Sequence, residues 1–193
     1  MILPIVGYGS PVLRAKAKNI TSDYPNLSQL IDNMYDTMYN AHGVGLAAPQ
    51  IGLDIRLFIV DGTPMDKEDK DPDTPNEDMS NFKKVFINPT IIEQSGQNWA
   101  FNEGCLSIPD IREDISRKQL IHIQYFDQHW VQYTETYSGT KARIIQHEYD
   151  HLEGVLFTDY LSPLKKQLIY TKLQKIQKGT IHVGYPMKFA KSK

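Results

Sequence analysis

Three residues in an apolar stretch of the C-terminal half could bind and use a metal ion. His147, Glu148 and His151 form an H-E-x-x-H motif within ARIIQHEYDHLEG, residues 142–154. Residues four apart lie on one face of a helix, so both imidazoles can reach the same ion. Glu148 lies beside them and can move protons without binding the metal. Such a pattern also occurs by chance on solvated helices, but the apolar neighbours favour burial, and a buried histidine needs a partner.

The third metal ligand is supplied neither by the motif nor by the residues after it. One class of zinc protease extends the motif with a third histidine, but Phe157 occupies that position here. In another class a glutamate well downstream completes the site. The carboxylates after His151 are Glu153 and Asp159, which are too close in sequence for that arrangement. The third ligand is therefore expected upstream.

Several upstream side chains could complete the site. The candidates are Cys105, His42, His122, His129 and various carboxylates. A single cysteine is usually a small buried hydrophobic residue, and it can also be a nucleophile paired with a histidine. A Cys-His-His set with an open fourth position is a known catalytic metal geometry, and it would leave Glu148 free as the acid and base.

The composition is that of an ordinary globular chain. The sequence has 193 residues, of which 40% are hydrophobic and 23% are charged, and its formal net charge is −2. This balance gives no overall basic signal for DNA or for a membrane surface. Cys105 is the one cysteine, which excludes an intramolecular disulfide and favours a reducing compartment. No stretch approaches the roughly 20 apolar residues that span a bilayer and no secretory signal is visible, so a cytoplasmic location is expected.

Charge is distributed unevenly along the chain. Residues 64–80 are rich in Asp, Glu and Pro, which predicts an acidic surface insertion that buries little apolar area. After Asp159 there is no acidic residue, while eight lysines occur, so residues 161–193 are predicted to form a basic C-terminal helix and tail. Such asymmetry often marks a surface that contacts a partner.

The elements that must position the motif can be read from the local patterns. A first helix is predicted after Asp23 and Pro25, and the residues that would form its packing face recur at helical spacing: Leu27, Leu30, Ile31, Met34 and Met38. The motif helix is predicted from about Thr140 to Glu153, with Gly154 as its stop. A last helix is indicated by a further apolar series, which comprises Leu161, Leu164, Leu168, Leu173 and Ile176.

Strand patterns occupy the middle of the chain. Residues 55–61 and 83–94 are strand-like, and residues 119–127 and 129–137 alternate apolar and polar residues around a short turn, which predicts a hairpin. Strands and helices do not alternate regularly. The prediction is a single domain, residues 1–193, of the α+β class, in which small mixed or antiparallel sheets surround the motif helix and a C-terminal helix comes last.

Three short motifs, in this order, resemble those of peptide deformylases. They are GVGLAAPQ (43–50), EGCLS (103–107) and QHEYDHLEG (146–154). The resemblance covers nearly the whole chain and implies an enzyme that removes the formyl group from N-formylmethionyl nascent polypeptides. It also implies that Cys105, His147 and His151 bind one divalent metal ion, with water as the fourth ligand. Ferrous iron would be the native ion, and zinc, nickel or cobalt would be alternatives, since thiolate and imidazole suit several metals.

The same resemblance implies a role for each residue around the metal. Glu148 would act as general acid and base while water activated by the metal attacks the formyl carbon. The side-chain amide of Gln50 and the backbone N–H of Leu106 would stabilise the oxyanion. The implied substrate-binding residues are Gly43, Val44, Gly45, Phe101, Glu103, Gly104 and Ile144. Val44, Phe101, Ile144 and His147 would line the pocket for the methionine side chain.

Two other functions remain open at the level of sequence. One is a zinc endopeptidase, which Phe157 and the missing downstream carboxylate disfavour. The other is a non-catalytic binding protein stabilised by a metal, which has no need of Glu148 or Gln50 because structural metal sites are closed. For partners, the formylated peptide is expected, and the lysine-rich C-terminal segment could contact ribosomal RNA.

Overall fold

The computed structural model describes residues 1–66 and 78–190 of the chain. Most of the predicted acidic insertion over 64–80, namely 67–77, lies outside the described residues, as do the last three residues of the predicted basic tail. The described part contains helices and an antiparallel sheet, so the predicted α+β class is confirmed. No helix in the described ranges is long and apolar enough to cross a bilayer.

The main sheet has five antiparallel strands in the order β2-β3-β4-β5-β6. Their bounds are β2 Gly45–Ala47, β3 Leu57–Asp61, β4 Lys83–Cys105, β5 Ile108–Phe126 and β6 Gln132–Ser138. The predicted hairpin corresponds to β5 and β6, but β4 continues eleven residues beyond the predicted strand end at Gln94. The second half of β4 pairs with the first half of β5, and this long hairpin carries the EGCLS motif at its tip.

The described residues form three α-helices that pack around the sheet, and their bounds are α1 Leu27–Asn40, α2 Gly139–Leu152 and α3 Pro163–Gln177. Helix α1 begins at Leu27, the first residue of the predicted apolar series, directly after Asn26 in a left-handed conformation. Its residues Ile31, Met34 and Met38 are buried, as the periodicity indicates. Helix α2 lies against the sheet, where Ala142 and Ile145 join a core that includes Phe58 and Phe86.

Helix α3 confirms the predicted C-terminal helix, although its buried face differs from the apolar series. Ile169, Leu173 and Ile176 are buried, whereas Leu164 and Leu168 are 67% and 73% exposed. Residues 164 and 168 lie on the opposite face of the helix from residues 169 and 173. The apolar series therefore covers two faces of α3, which explains its irregular helical spacing.

A separate two-stranded parallel sheet joins the two ends of the chain. Strand β1, Ile5–Val6, pairs with strand β7, Met187–Lys188. Backbone N–H groups of Ile5 and Gly7 donate to the carbonyls of Pro186 and Lys188, both at 2.9 Å. The segment after α3 therefore folds back onto the N-terminal strand.

Candidate metal centre and active site

Cys105 is positioned at the tip of the long β4–β5 hairpin. It is the last residue of β4 and pairs with Ile108, so Leu106 and Ser107 form the two-residue loop between the strands. The backbone N–H of Tyr8 donates to the carbonyl of Ser107 at 2.9 Å. The Cys105 thiol is thus next to a turn whose backbone is held by a hydrogen bond from the N-terminal segment.

Helix α2 brings the H-E-x-x-H residues to the same place. Gly154 ends this region with a φ of +72°, and a Cβ there would lie 2.6 Å from the backbone oxygen of Arg14. Only glycine fits both the positive φ and the close approach. The predicted stop at Gly154 therefore corresponds to a tight packing point between the end of α2 and the N-terminal segment.

The ligand atoms of Cys105, His147 and His151 all lie within 4.8 Å of one another. Cys105 Sγ is 3.3 Å from His151 Nε2. Ligand atoms in a tetrahedral thiolate and imidazole site are about 3.4–3.6 Å apart, because the metal bond lengths are about 2.0–2.3 Å. The three side chains can therefore hold a divalent ion with little movement. Burial lowers the pKa of His151, which favours the neutral imidazole that binds metals.

Glu103 orients His147 from behind. Its Oε2 lies 2.9 Å from His147 Nδ1, which leaves Nε2 for the metal, as in many carboxylate–histidine–metal sites. Arg117 donates to both oxygens of Glu103, at 2.7 and 3.0 Å, and Arg143 donates to Oε1 at 2.9 Å. Burial alone would raise the pKa of Glu103, but hydrogen bonds from His147 and Arg117 hold it below its usual value. Glu103 is thus a charged, fixed acceptor for His147, and the substrate contact expected of it stays a prediction.

Glu148 is enclosed beside the ligands. It is 4% exposed, and its Oε2 is buried with no hydrogen-bond partner among the described residues. Burial raises its pKa to about 7, which suits a group that gives and takes protons near neutrality. Gly45 makes room for this carboxylate, since a Cβ at that position would overlap Glu148 Oε1.

The side chain of Gln50 lies next to the Cys105 thiol. It lies in a short helical turn, Ala48–Ile51, that comes directly after β2. Its Oε1 accepts the backbone N–H of Ala47 at 2.8 Å, and its Nε2 lies 3.5 Å from Cys105 Sγ and 3.4 Å from Ser107 Oγ. The amide N–H₂ is therefore directed to the metal-ligand side, where negative charge could be stabilised.

These groups lie at a pocket of about 820 Å³. All seven predicted substrate-binding residues line it, together with Gln50, Cys105, Leu106, His147 and Glu148. His151 lies behind this surface, 1% exposed. Among the other candidate ligands, His42 lines the pocket, whereas His122 contacts Thr136 on the sheet and His129 lies in an exposed turn. None of these three belongs to the group that could hold an ion within the described residues.

Further pocket residues were not found from the sequence. Tyr39, Arg143, His182 and Tyr185 also line the cavity. Arg143 lies four residues before His147, so the helical period of α2 could have indicated it. His182 and Tyr185 come from the segment after α3, and no local pattern connects that segment with the motifs.

Comparison with known proteins shows which family the chain is similar to. A family model described as polypeptide deformylase matches residues 2–167. A peptide deformylase of Christiangramia forsetii is 57% identical over 193 residues, which cover 100% of this chain and 98% of the relative. A peptide deformylase of Flavobacterium johnsoniae is 56% identical with the same coverage. The crystal structure of a peptide deformylase from Legionella pneumophila has a TM-score of 0.78 and 36% identity, and the match covers 93% of this chain and 98% of that one.

Proposed function

The chain belongs to the polypeptide deformylase family, and we propose that it hydrolyses the N-formyl group of formylmethionyl peptides at the Cys105, His147 and His151 site. As a member of that family it is an enzyme, a metal-dependent hydrolase that acts on formylated nascent peptides. The observation that carries the proposal is the convergence of three ligand atoms beside the buried carboxylate of Glu148, at a pocket that can hold a peptide end.

The donor set indicates what the metal would contribute. A divalent ion held by these residues would polarise a carbonyl and lower the pKa of bound water from 15.7 to about 7. One thiolate and two imidazoles accept iron, zinc, nickel or cobalt, and we propose ferrous iron as the native ion.

Glu148 is proposed to move the protons of the reaction. It would accept a proton from the attacking water and return it to the amine that leaves as the C–N bond breaks. Its burial and the absence of a competing hydrogen bond at Oε2 support this role, because the carboxylate is not committed to a structural partner within the described residues.

Gln50 and the backbone N–H of Leu106 are proposed to stabilise the negative charge that develops on the formyl oxygen. The orientation of the Gln50 amide supports this, since its oxygen is occupied by Ala47 and its nitrogen is left to donate. Leu106 lies in the hairpin turn directly after Cys105, which supports the proposal that its N–H would donate to the same oxygen.

The peptide is proposed to bind as an added strand. Strand β2 lies at an edge of the main sheet, and residues 43–45 line the pocket, so an extended chain can pair with this edge. The methionine side chain would occupy the apolar part of the pocket at Val44, Phe101, Ile144 and His147. Glycine at position 43 leaves room for the Leu106 side chain beside the pocket, since a Cβ would lie 2.8 Å from Leu106 Cδ1.

The exposed face of α3 is proposed as a contact for the ribosome in the cytoplasm. Lys172 and Lys175 on this helix are exposed, as are Lys178 at its C-terminal cap and the nearby Leu168. If RNA phosphates are the partner, co-sedimentation with ribosomes should weaken steeply as salt rises. The double variant Lys172→Glu, Lys175→Glu should abolish it, while Lys18→Glu on the far N-terminal segment should not. Salt-independent binding, or equal binding by both variants, would contradict the contact.

Formate release tests the proposed function. Wild-type protein loaded anaerobically with ferrous iron should release formate from a formyl-methionyl tripeptide and leave an acetylated tripeptide with the same sequence intact. A longer peptide with only internal amides should also remain intact. Cleavage of internal amides would identify an endopeptidase, and no reaction with a fully loaded site would identify a binding protein.

A further inference from the structure

The segment after α3 contacts the hairpin turn formed by Leu106 and Ser107, which contains the backbone N–H proposed to stabilise the oxyanion. The hydroxyl of Tyr185 donates to the carbonyl oxygen of Leu106 at 2.9 Å. Its ring is half-buried and packs in the same apolar cluster as the Leu106 side chain. Tyr185 lies outside residues 2–167, the part of the chain that the family model matches. A residue beyond the matched region thus contacts the active-site turn.

The turn needs such support because its own sequence does not favour it. Two-residue hairpin loops prefer turn types with positive φ at one or both loop residues, which match the twist of the strands. Neither Leu106 nor Ser107 has a positive φ. The Leu106 carbonyl belongs to the central peptide of the turn, and rotation of that peptide converts one common turn type into another. The hydroxyl of Tyr185 binds this carbonyl and therefore opposes the rotation.

The segment that carries Tyr185 is itself hydrogen-bonded to the N-terminal strand. Pro186, the next residue, accepts the N–H of Ile5, and β7 then pairs with β1. Strand β1 leads to Tyr8, whose N–H donates to the carbonyl of Ser107. The two-stranded sheet therefore holds two consecutive carbonyls of the turn, one through the backbone of Tyr8 and one through the side chain of Tyr185.

We infer that Tyr185 is a positioning residue for deformylation: by holding the Leu106 carbonyl it fixes the Leu106–Ser107 peptide and limits rotation within the turn. This keeps the Leu106 N–H, which lies on the adjoining Cys105–Leu106 peptide, directed at the developing oxyanion. This inference rests on the proposed function, because it gives Leu106 its proposed role. Tyr185 does not touch the metal ligands through this bond, so its effect should fall on the transition state and not on metal binding.

Tyr185→Phe removes the hydroxyl and keeps the ring, and Tyr170→Phe, an exposed tyrosine on α3, is the matched control. In iron-loaded Tyr185→Phe we expect kcat to fall about tenfold, because one hydrogen bond to the turn is lost, with KM changed by less than about twofold. Metal content and the denaturant midpoint should stay close to wild type. Amide hydrogen exchange at residues 106–108 should become several times faster, and Tyr170→Phe should match wild type in every measurement.

Wild-type kcat and wild-type exchange in Tyr185→Phe would overturn the inference. So would a loss confined to KM, which would make Tyr185 a substrate contact, or a loss that tracks metal content or global unfolding, which would make its role structural. The exchange measurement needs no turnover. If wild-type protein releases no formate, the proposed function fails, while faster exchange in Tyr185→Phe still shows that the hydroxyl holds the turn.

Discussion

Gln50 illustrates how single residues are fixed before any substrate binds. An amide side chain can present either its oxygen or its nitrogen, and these have opposite electrostatic effects on an oxyanion. Here the N–H of Ala47 occupies Oε1, so Nε2 faces Cys105 and Ser107. The residue is 1% exposed, which removes competition from water. The donor is therefore preorganised, the condition under which such groups lower barriers most.

Replacement of Gln50 by Ala should lower kcat by about 10²–10³, because it removes one of the two proposed oxyanion donors. KM should change little, since the amide acts mainly in the transition state. Initial rates of formate release at several peptide concentrations measure both constants. Gln119→Ala, an exposed glutamine on β5, serves as the control and should keep wild-type rates. A Gln50→Ala enzyme with wild-type kcat would remove this residue from the mechanism.

Among the elements, helix α2 is fastened to the β4–β5 hairpin by a buried ion network. Arg117 on β5 is 6% exposed and donates to Glu103 on β4 and to Asp150 on α2, the latter at 2.6 Å. The guanidinium also lies 4.7 Å from the centre of the Tyr160 ring. The two elements that supply the metal ligands are thus held in register by charge as well as by apolar packing.

Arg117→Met should destabilise the protein by about 3–5 kcal/mol, because it removes the guanidinium shared by the buried Glu103 and the partly buried Asp150. Chemical denaturation at neutral pH measures the loss. Arg14→Met is the matched control, since the Arg14–Asp159 pair is exposed, with side chains 43% and 38% accessible. That change should cost at most about 1 kcal/mol. Equal effects of the two substitutions would show that the network does not hold α2 to the hairpin.

The elements differ in how well the sequence predicts them. Helices α1 and α2 and the β5–β6 hairpin are predicted by local periodicity, and a glycine with positive φ marks the end of α2 as predicted. The extension of β4 to Cys105 is not, because residues 95–104 are mostly polar and are stabilised by pairing with distant β5. The network of Glu103 with Arg117, Arg143 and His147 is equally invisible locally, since its members come from three elements. The motifs identify the ligand set, but only the fold shows that Glu103 supports His147 from behind.

In the molecule as a whole, the metal would link parts of the chain that lie far apart in sequence. Cys105 comes from the hairpin tip, and His147 and His151 come from α2, about forty residues later. Residues next to the β1–β7 sheet bind the turn that follows Cys105, through the N–H of Tyr8 and the hydroxyl of Tyr185. A ligand that binds the folded state alone stabilises it by mass action.

Removal of the metal should therefore lower the thermal midpoint. At a free metal concentration of about 100 times Kd, binding contributes about 2.7 kcal/mol. For a domain of this size that corresponds to roughly 5–10 °C in Tm. Calorimetry of wild-type protein before and after chelation measures the shift, and added metal should restore it. Cys105→Ser should show a reduced shift, and identical midpoints with and without metal would contradict a site that spans the two elements.

The proposed mechanism requires the metal centre and Glu148 to act together. This cooperation is tested by preparing wild type and Glu148→Gln in the same way and measuring metal content and formate release on the same samples. We predict about one ion per chain in both proteins, formate release by wild type, and a loss of at least about 10²-fold in the variant, since proton transfer contributes about 10²–10⁴. Glu93→Gln makes the same change at an exposed glutamate on β4, and this control should behave as wild type. A fully loaded Glu148→Gln protein that releases formate at the wild-type rate would show that the metal centre and this carboxylate do not act together.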